Sequence, residues 1–210
     1  MSKVVCIYPE DRTTDFLRPL CDHICATFNA VEVGYDTSID EDPLDIIHNA
    51  VRDAKTVFFL GHGMSTCLYA SILDNVELFN KDNYSLLEGK RLFLLACNSD
   101  QFIKNYDLED SIGFGFLPTS LDDVRQNRLF HSIMVETLEK KDVELFNKAL
   151  VNAVANTLSD NTISDPHLFV ERFRFAISGE IVQCLLKKET SNYRTIADEL
   201  YYVFKDMIVC

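Results

Sequence analysis

Two short apolar runs constrain this chain more than any other feature, because each is uninterrupted and each stops beside a reactive side chain. Val57-Phe58-Phe59-Leu60 closes on Gly61-His62-Gly63, and Leu92-Phe93-Leu94-Leu95 closes on Ala96-Cys97. A run of this length without a polar member suits a strand covered on both faces, the environment of a parallel sheet between helical layers. As parallel neighbours, the two strands bring His62 and Cys97 out side by side at the carboxyl edge. Open α/β sheets carry their ligands and chemistry at that edge.

The rest of the chain keeps a matching rhythm. Val4-Val5-Cys6-Ile7 before Pro9 reads as a first strand. Thr13 or Thr14 caps a helix to about Phe28, with Phe16, Leu17, Leu20, Ile24 and Phe28 on its apolar stripe and Pro19 marking a start or a kink. Ala30 to Val33 is a second strand, Asp36 to Asp42 a solvated acidic loop, and Pro43 opens a helix with Leu44, Ile47 and Val51 inward. Met64 to Asn80 reads as a short helix and a loop. After Cys97 come a helix (Asp100 to Tyr106), a strand (Ile112 to Phe116) and a loop (Leu117 to Ser120). From Leu121 the apolar spacing is helical: one stripe runs to Leu138, another through Val143, Phe146, Leu150, Ala153 and Leu158. Asp165-Pro166 starts a helix through Phe169, Phe173, Ile177, Ile181 and Leu185, although Arg172 to Ile177 also alternates as a strand does. Ile196 to Met207 is the last helix. The expectation is an α/β fold: a parallel-rich sheet flanked by helices over 1–120, with a helical C-terminal layer over 121–210, together one domain over 1–210.

Charge and cysteine usage narrow the partners. A net charge of −13 makes nucleic acid a poor partner and a basic peptide a better one. No run approaches the roughly 18 apolar residues of a membrane span, and the N-terminus lacks the apolar stretch of a signal peptide. Seven cysteines, an odd number without regular spacing, suit a reducing, cytoplasmic setting. Cys21 and Cys25 lie four apart on a helix, but His23 between them falls on another face, so no metal and no cofactor is expected. Gly113 and Gly115 lack the Gly-Lys-Ser/Thr element of a phosphate loop. Cys67 reads as a bystander near the reactive edge.

Peptide cleavage by a cysteine needs a sulfur nucleophile, a group that takes its proton and returns it to the leaving amine, and donors for the oxyanion. An imidazole can do the proton work, and Cys97, just before the helix opened by Asn98-Ser99-Asp100, has a helix dipole to favour its thiolate. Gly63 offers an N–H that a substrate carbonyl can approach, and the Cys97 N–H is the natural second donor. An apolar strand ending in His-Gly, followed some tens of residues later by an apolar strand ending in Ala-Cys, resembles the signature of the caspase-like cysteine peptidases: caspases, legumain, gingipains, clostripain, separase and bacterial CHAT-domain proteases. Gly61-His62-Gly63 and Cys97-Asn98-Ser99 look closest to the CHAT group; the Gln-Ala-Cys-Arg-Gly of true caspases is absent. The interval from His62 to Cys97 (97 − 62 = 35) is shorter than the roughly 50 residues of caspases.

The resemblance implies a caspase-like fold and a cysteine endopeptidase with His62 as base, Cys97 as nucleophile, and Gly63 and Cys97 at the oxyanion hole. It also implies a first specificity pocket from residues beside the nucleophile strand and the segment after it. Asp100, Asp122 and Asp123 are the acids there, so a protein or peptide substrate with a basic residue before the scissile bond is expected. By analogy with bacterial members, regulated proteolysis, including defence against phage, and a separate regulatory protein follow as expectations. Two other readings stand beside this one. The first is a catalytically silent caspase-like scaffold that binds a partner through its helical layer. The second is a flavodoxin-like binding module, for which Pro9-Glu10-Asp11-Arg12 makes a poor phosphate loop.

Overall fold

A computed structural model describes residues 3–9, 13–35, 42–121 and 138–210. Contacts divide the chain into two compact units, Met1–Gly115 with Met207–Cys210, and Phe116–Asp206. The first unit holds eight strands among the described residues: β1 (Val4–Ile7), β2 (Val31–Val33), β3 (Thr56–Leu60), β4 (Leu68–Ser71), β5 (Val76–Phe79), β6 (Arg91–Leu95), β7 (Ser111–Gly113) and β8 (Ile208–Val209). Its helices are α1 (Arg18–Phe28), α2 (Pro43–Arg52) and α3 (Ser99–Tyr106).

Six strands form one sheet in the order β2-β1-β3-β6-β7-β8. Every neighbouring pair is parallel except β7 and β8. The two apolar runs are therefore the adjacent parallel strands β3 and β6, in register from Thr56 opposite Arg91 to Leu60 opposite Leu95. Alternation explains why both runs are apolar throughout. Val5, Ile7, Val57, Phe59, Leu92 and Leu94 share a core with Ile47 and Val51 of α2 and with Phe102 and Ile103 of α3. The residues between them, Cys6, Phe58 and Phe93, belong to the opposite face. There the rings of Phe28, Phe58, Phe93 and Phe114 follow one another at centroid spacings of 5.1, 5.7 and 5.6 Å.

The chain passes from β2 across β1 to β3, so the direction of strand addition reverses between β1 and β3. Such a reversal opens a crevice at the carboxyl ends, where α/β sheets bind ligands. The segments that follow β1, β3 and β6 meet there, and they carry Thr13, His62 and Cys97.

Several elements differ from the sequence expectations. The 64–80 segment holds no helix; β4 and β5 pair as an antiparallel hairpin. Asp74-Asn75 makes its turn, with Asn75 left-handed at φ 53°. The strand expected through Phe116 ends at Gly113, because the Phe114 and Gly115 carbonyls accept from the Asp100 and Asn98 N–H groups instead of continuing the ladder. The chain's last residues, read within the closing helix only as far as Met207, return as β8 beside β7. Thr13 and Thr14 do not cap α1; a 3-10 turn (Asp15–Leu17) intervenes, and α1 begins at Arg18 with Pro19 in its first turn, where the missing N–H costs nothing.

The second unit is helical: α4 (Lys140–Thr157), α5 (Asp160–Ser164), α6 (Pro166–Lys187) and α7 (Tyr193–Lys205). Val143, Phe146, Leu150, Ala153 and Leu158 are buried as the spacing predicts, and so are Phe169, Phe173 and Ile177 of α6. The residues 172–177 are helical, and Leu185 is exposed, so the α6 stripe ends a turn earlier than expected. Asp165 caps α6 by accepting from the His167 and Leu168 N–H groups. Asp142 accepts from the Glu139 N–H and from Asn192 Nδ2, both at 2.7 Å. Burial works to raise its pKa, but these hydrogen bonds hold the carboxyl below its ordinary value. The helix expected from Leu121 to Leu138 lies almost wholly outside the described residues. Among the described residues no helix is long and apolar enough to cross a membrane.

Candidate active site

His62 and Cys97 stand at equal offsets beyond their strands, two residues past Leu60 and Leu95, which face each other in register. The pairing extends past the strands proper, since the Gly61 N–H donates to the Leu95 carbonyl at 3.2 Å. Neighbouring parallel strands lie about 4.8 Å apart, so equal offsets put the two residues on adjacent tips. Both side chains are half-buried, reachable from solvent yet held by their surroundings.

Gly63 reports how closely the two tips meet. A Cβ there would lie 2.8 Å from the Cys97 carbonyl oxygen, 3.0 Å from Leu68 Cδ2 and 3.1 Å from Ala96 Cβ. The chain after His62 runs directly against the chain at Cys97, and only a residue without a side chain fits. The hairpin fixes this segment from the other side: the Tyr69 N–H donates to the His62 carbonyl at 3.0 Å, and the Met64 N–H to the Cys67 carbonyl at 2.8 Å. These two bonds flank the Gly63–Leu68 bridge and do not use the Gly63 N–H, which stays outside the hairpin ladder.

On the other strand, Asn98 turns the chain with a left-handed φ of 55°, which asparagine tolerates, and α3 begins at Ser99. Ser99 is fully buried and ties three segments together. Its hydroxyl donates to the Leu94 carbonyl at 2.7 Å and accepts from the Phe114 N–H at 2.8 Å. The Cys97 tip is thereby tied to β6, α3 and the segment after β7. The imidazole has its own tether, with Thr13 Oγ1 lying 2.5 Å from His62 Nε2. A hydrogen bond to one ring nitrogen sets the ring's orientation and the tautomer of the other.

Asp100 sits in the first turn of α3, 6% exposed. Its Oδ2 accepts from Gln101 Nε2 at 2.6 Å and pairs with Lys104 Nζ at 3.3 Å. The lysine side chain is half exposed and the carboxylate is not. Asp122 and Asp123 lie outside the described residues. Cys67, by contrast, is buried, and burial pushes its thiol up. That thiol ionises reluctantly and makes a poor nucleophile beside Cys97.

No protein-family model, curated protein or solved structure matches the chain. Thr13 and Ser99 are the site residues that sequence reasoning missed. Thr13 had read as a helix cap and Ser99 as part of a helix opening. A threonine 49 residues from the histidine leaves no local pattern. A buried serine just after the Ala-Cys strand end is a weak signal, visible only once Ser99 is known to lie beneath the tip.

One further group of side chains converges away from these tips. Cys6 of β1 meets Cys21 and Cys25 of α1, with all three sulfurs within 4.8 Å of one another. Interaction with Cys6 outweighs burial and pulls the Cys25 thiol down to about 7, while hydrogen bonding with Cys21, ahead of that with Cys25 and of burial, pushes Cys6 up. All seven cysteines are free of disulfides.

Proposed function

We propose that the chain is a cysteine endopeptidase on a caspase-like α/β core, with Cys97 as nucleophile and His62 as general base and acid. The observation that carries this reading is the fit of side-chain-free Gly63 against the Cys97 carbonyl, which joins the His-Gly and Ala-Cys tips in one crevice. His62 takes the Cys97 thiol proton, and the thiolate adds to the substrate carbonyl carbon. The oxygen, now negative, is met by the Gly63 N–H, with the Cys97 N–H as second donor. The imidazolium then gives its proton to the leaving amine as the C–N bond breaks. A water deprotonated by His62 hydrolyses the acyl-enzyme, and the thiol is restored. Thr13 acts as a positioning residue for the ring.

A basic residue before the scissile bond suits Asp100, because a substrate arginine can exchange with half-exposed Lys104 for the buried carboxylate. The net charge of −13 favours the approach of such substrates. A cytoplasmic setting, regulated proteolysis with a role in defence, and control by a separate protein belong to the same proposal. The test is cleavage of arginyl, lysyl and aspartyl fluorogenic peptides beside Cys97→Ala and His62→Ala. Cleavage after the basic residues, lost by at least about 10³-fold in either variant, is expected. Cleavage undiminished in Cys97→Ala sinks the assignment.

A second reading, a silent scaffold that binds a partner through its helical unit, draws on Phe175, Val182 and Leu186. These α6 side chains are 85%, 50% and 71% exposed. No cleavage of any peptide, together with Cys97 alkylation no faster than that of Cys184, favours it.

A further inference from the structure

The cysteine cluster between β1 and α1 is unrelated to the proposed dyad. Cys6 lies in register with Phe58, four residues before His62, in the middle of the sheet rather than at its edge. Cys21 and Cys25 are one helical turn apart, so both present to the same neighbour. That neighbour is Cys6, whose sulfur is 3.7 Å from that of Cys21. The three sulfurs come from a strand inside a sheet and a helix packed on it, so the cluster is set by the fold and not by loose loops. His23, which the sequence offered as a further donor, is not part of it.

We propose that Cys6, Cys21 and Cys25 form a binding site for a soft d10 cation, Zn²⁺ or Cu⁺, held by three thiolates. Sulfurs about 2.3 Å from a common ion are separated by about 3.8 Å in a tetrahedral arrangement and about 4.0 Å in a trigonal one. The observed 3.7 Å between the Cys6 and Cys21 sulfurs matches that spacing, and all three sulfurs lie within 4.8 Å of one another, so closing on a common ion needs a shift of at most about 1 Å at Cys25. An all-sulfur donor set selects soft ions over Mg²⁺ and Ca²⁺, which take oxygen ligands. Cys6 and Cys21 are fully buried while Cys25 is half-buried. The ion therefore enters past Cys25, the one sulfur of the three on a partly exposed residue. Three buried thiols packed as small apolar groups are the competing explanation, and they differ from a site in one respect: they take up no ion in stoichiometric amount.

The experiment uses the full chain carrying Cys97→Ser, so that the candidate nucleophile contributes no ligand. Zn²⁺ is titrated against a chromophoric chelator, and Co²⁺ is added separately to record thiolate-to-metal charge-transfer bands. One equivalent bound at submicromolar affinity, with those bands present, is expected. Cys25→Ser in the same background lowers the affinity at least tenfold, while Cys184→Ser, in the helical unit, leaves it unchanged. A second measurement needs no further variant: one equivalent of Zn²⁺ protects Cys25 from alkylation and leaves exposed Cys210 reactive. Absence of stoichiometric binding, binding that leaves Cys25 open to alkylation, or undiminished affinity in Cys25→Ser overturns the proposal.

Discussion

Replacing Gly63 by alanine adds one carbon where the two strand tips meet, and the cost follows from the neighbours of that carbon. The new Cβ falls 2.8 Å from the Cys97 carbonyl oxygen and 3.1 Å from Ala96 Cβ, both fixed to the end of β6, and 3.0 Å from Leu68 Cδ2, which can turn aside. To reach an ordinary contact of ~3.5 Å, the His62–Gly63 segment must retreat from Cys97 by about 0.7 Å. The His62 carbonyl is bonded to Tyr69, so the retreat also strains the hairpin. Overpacking of this kind costs about 1–3 kcal/mol. A shift approaching 1 Å between the proposed base and nucleophile costs roughly 10- to 100-fold in rate. Gly179→Ala is the control: nothing lies within 4 Å of the added carbon in α6, and the change stabilises by about 0.5–1 kcal/mol. Urea unfolding and peptide turnover per folded molecule are the assays. Gly63→Ala with unaltered stability and unaltered turnover refutes the idea that these tips are in contact.

Three other outcomes are expected. Ser99→Ala leaves the buried Phe114 N–H without its acceptor, so urea unfolding should show a loss of about 1–3 kcal/mol with slower Cys97 alkylation; an unchanged midpoint contradicts this. Thr13→Val removes the tether on His62 Nε2 and should lower kcat about tenfold with little change in KM, and with a displaced pH–rate profile. An unmoved profile counts against a positioning role. Glu199, 5% exposed on α7, is pushed up to about 7, first by burial and then by Asp198 and Asp206. The folded state thus holds its proton more tightly than the unfolded chain, and stability falls as pH climbs from about 4.5 to about 7, by about 3 kcal/mol. Glu199→Gln should match the parent at pH 4 and exceed it at pH 8 in denaturant unfolding; equal stability at both contradicts the burial effect.

The centre of the sheet was legible because β3 and β6 are buried on both faces. Val57 to Leu60 and Leu92 to Leu95 had to be apolar throughout, and that requirement appears in sequence as unbroken runs. The juxtaposition of His62 and Cys97 followed from parallel register alone. The hairpin was not legible, since Leu68–Ser71 and Val76–Phe79 pair irregularly and mix small, aromatic and acidic residues. Its turn signal, Asp74-Asn75, lacks the glycine that usually marks one. β8 was hidden because two residues carry no periodicity; only β7 defines them as a strand. The thiol cluster escaped because its third member comes from β1, and spacing along α1 could suggest only Cys21 and Cys25. Thr13 and Ser99 belong to the same class: their roles depend on contacts between segments, which sequence spacing does not record.

The central claim is that the His62 imidazole acts on the Cys97 sulfur across adjacent strand tips. Site-resolved alkylation by iodoacetamide at neutral pH tests it directly, comparing the wild-type chain with His62→Ala and using Cys25 as the internal reference thiol. The account predicts that Cys97 reacts at least about tenfold faster in the wild-type chain while the rate at Cys25 is the same in both. Equal Cys97 rates in the two proteins contradict it.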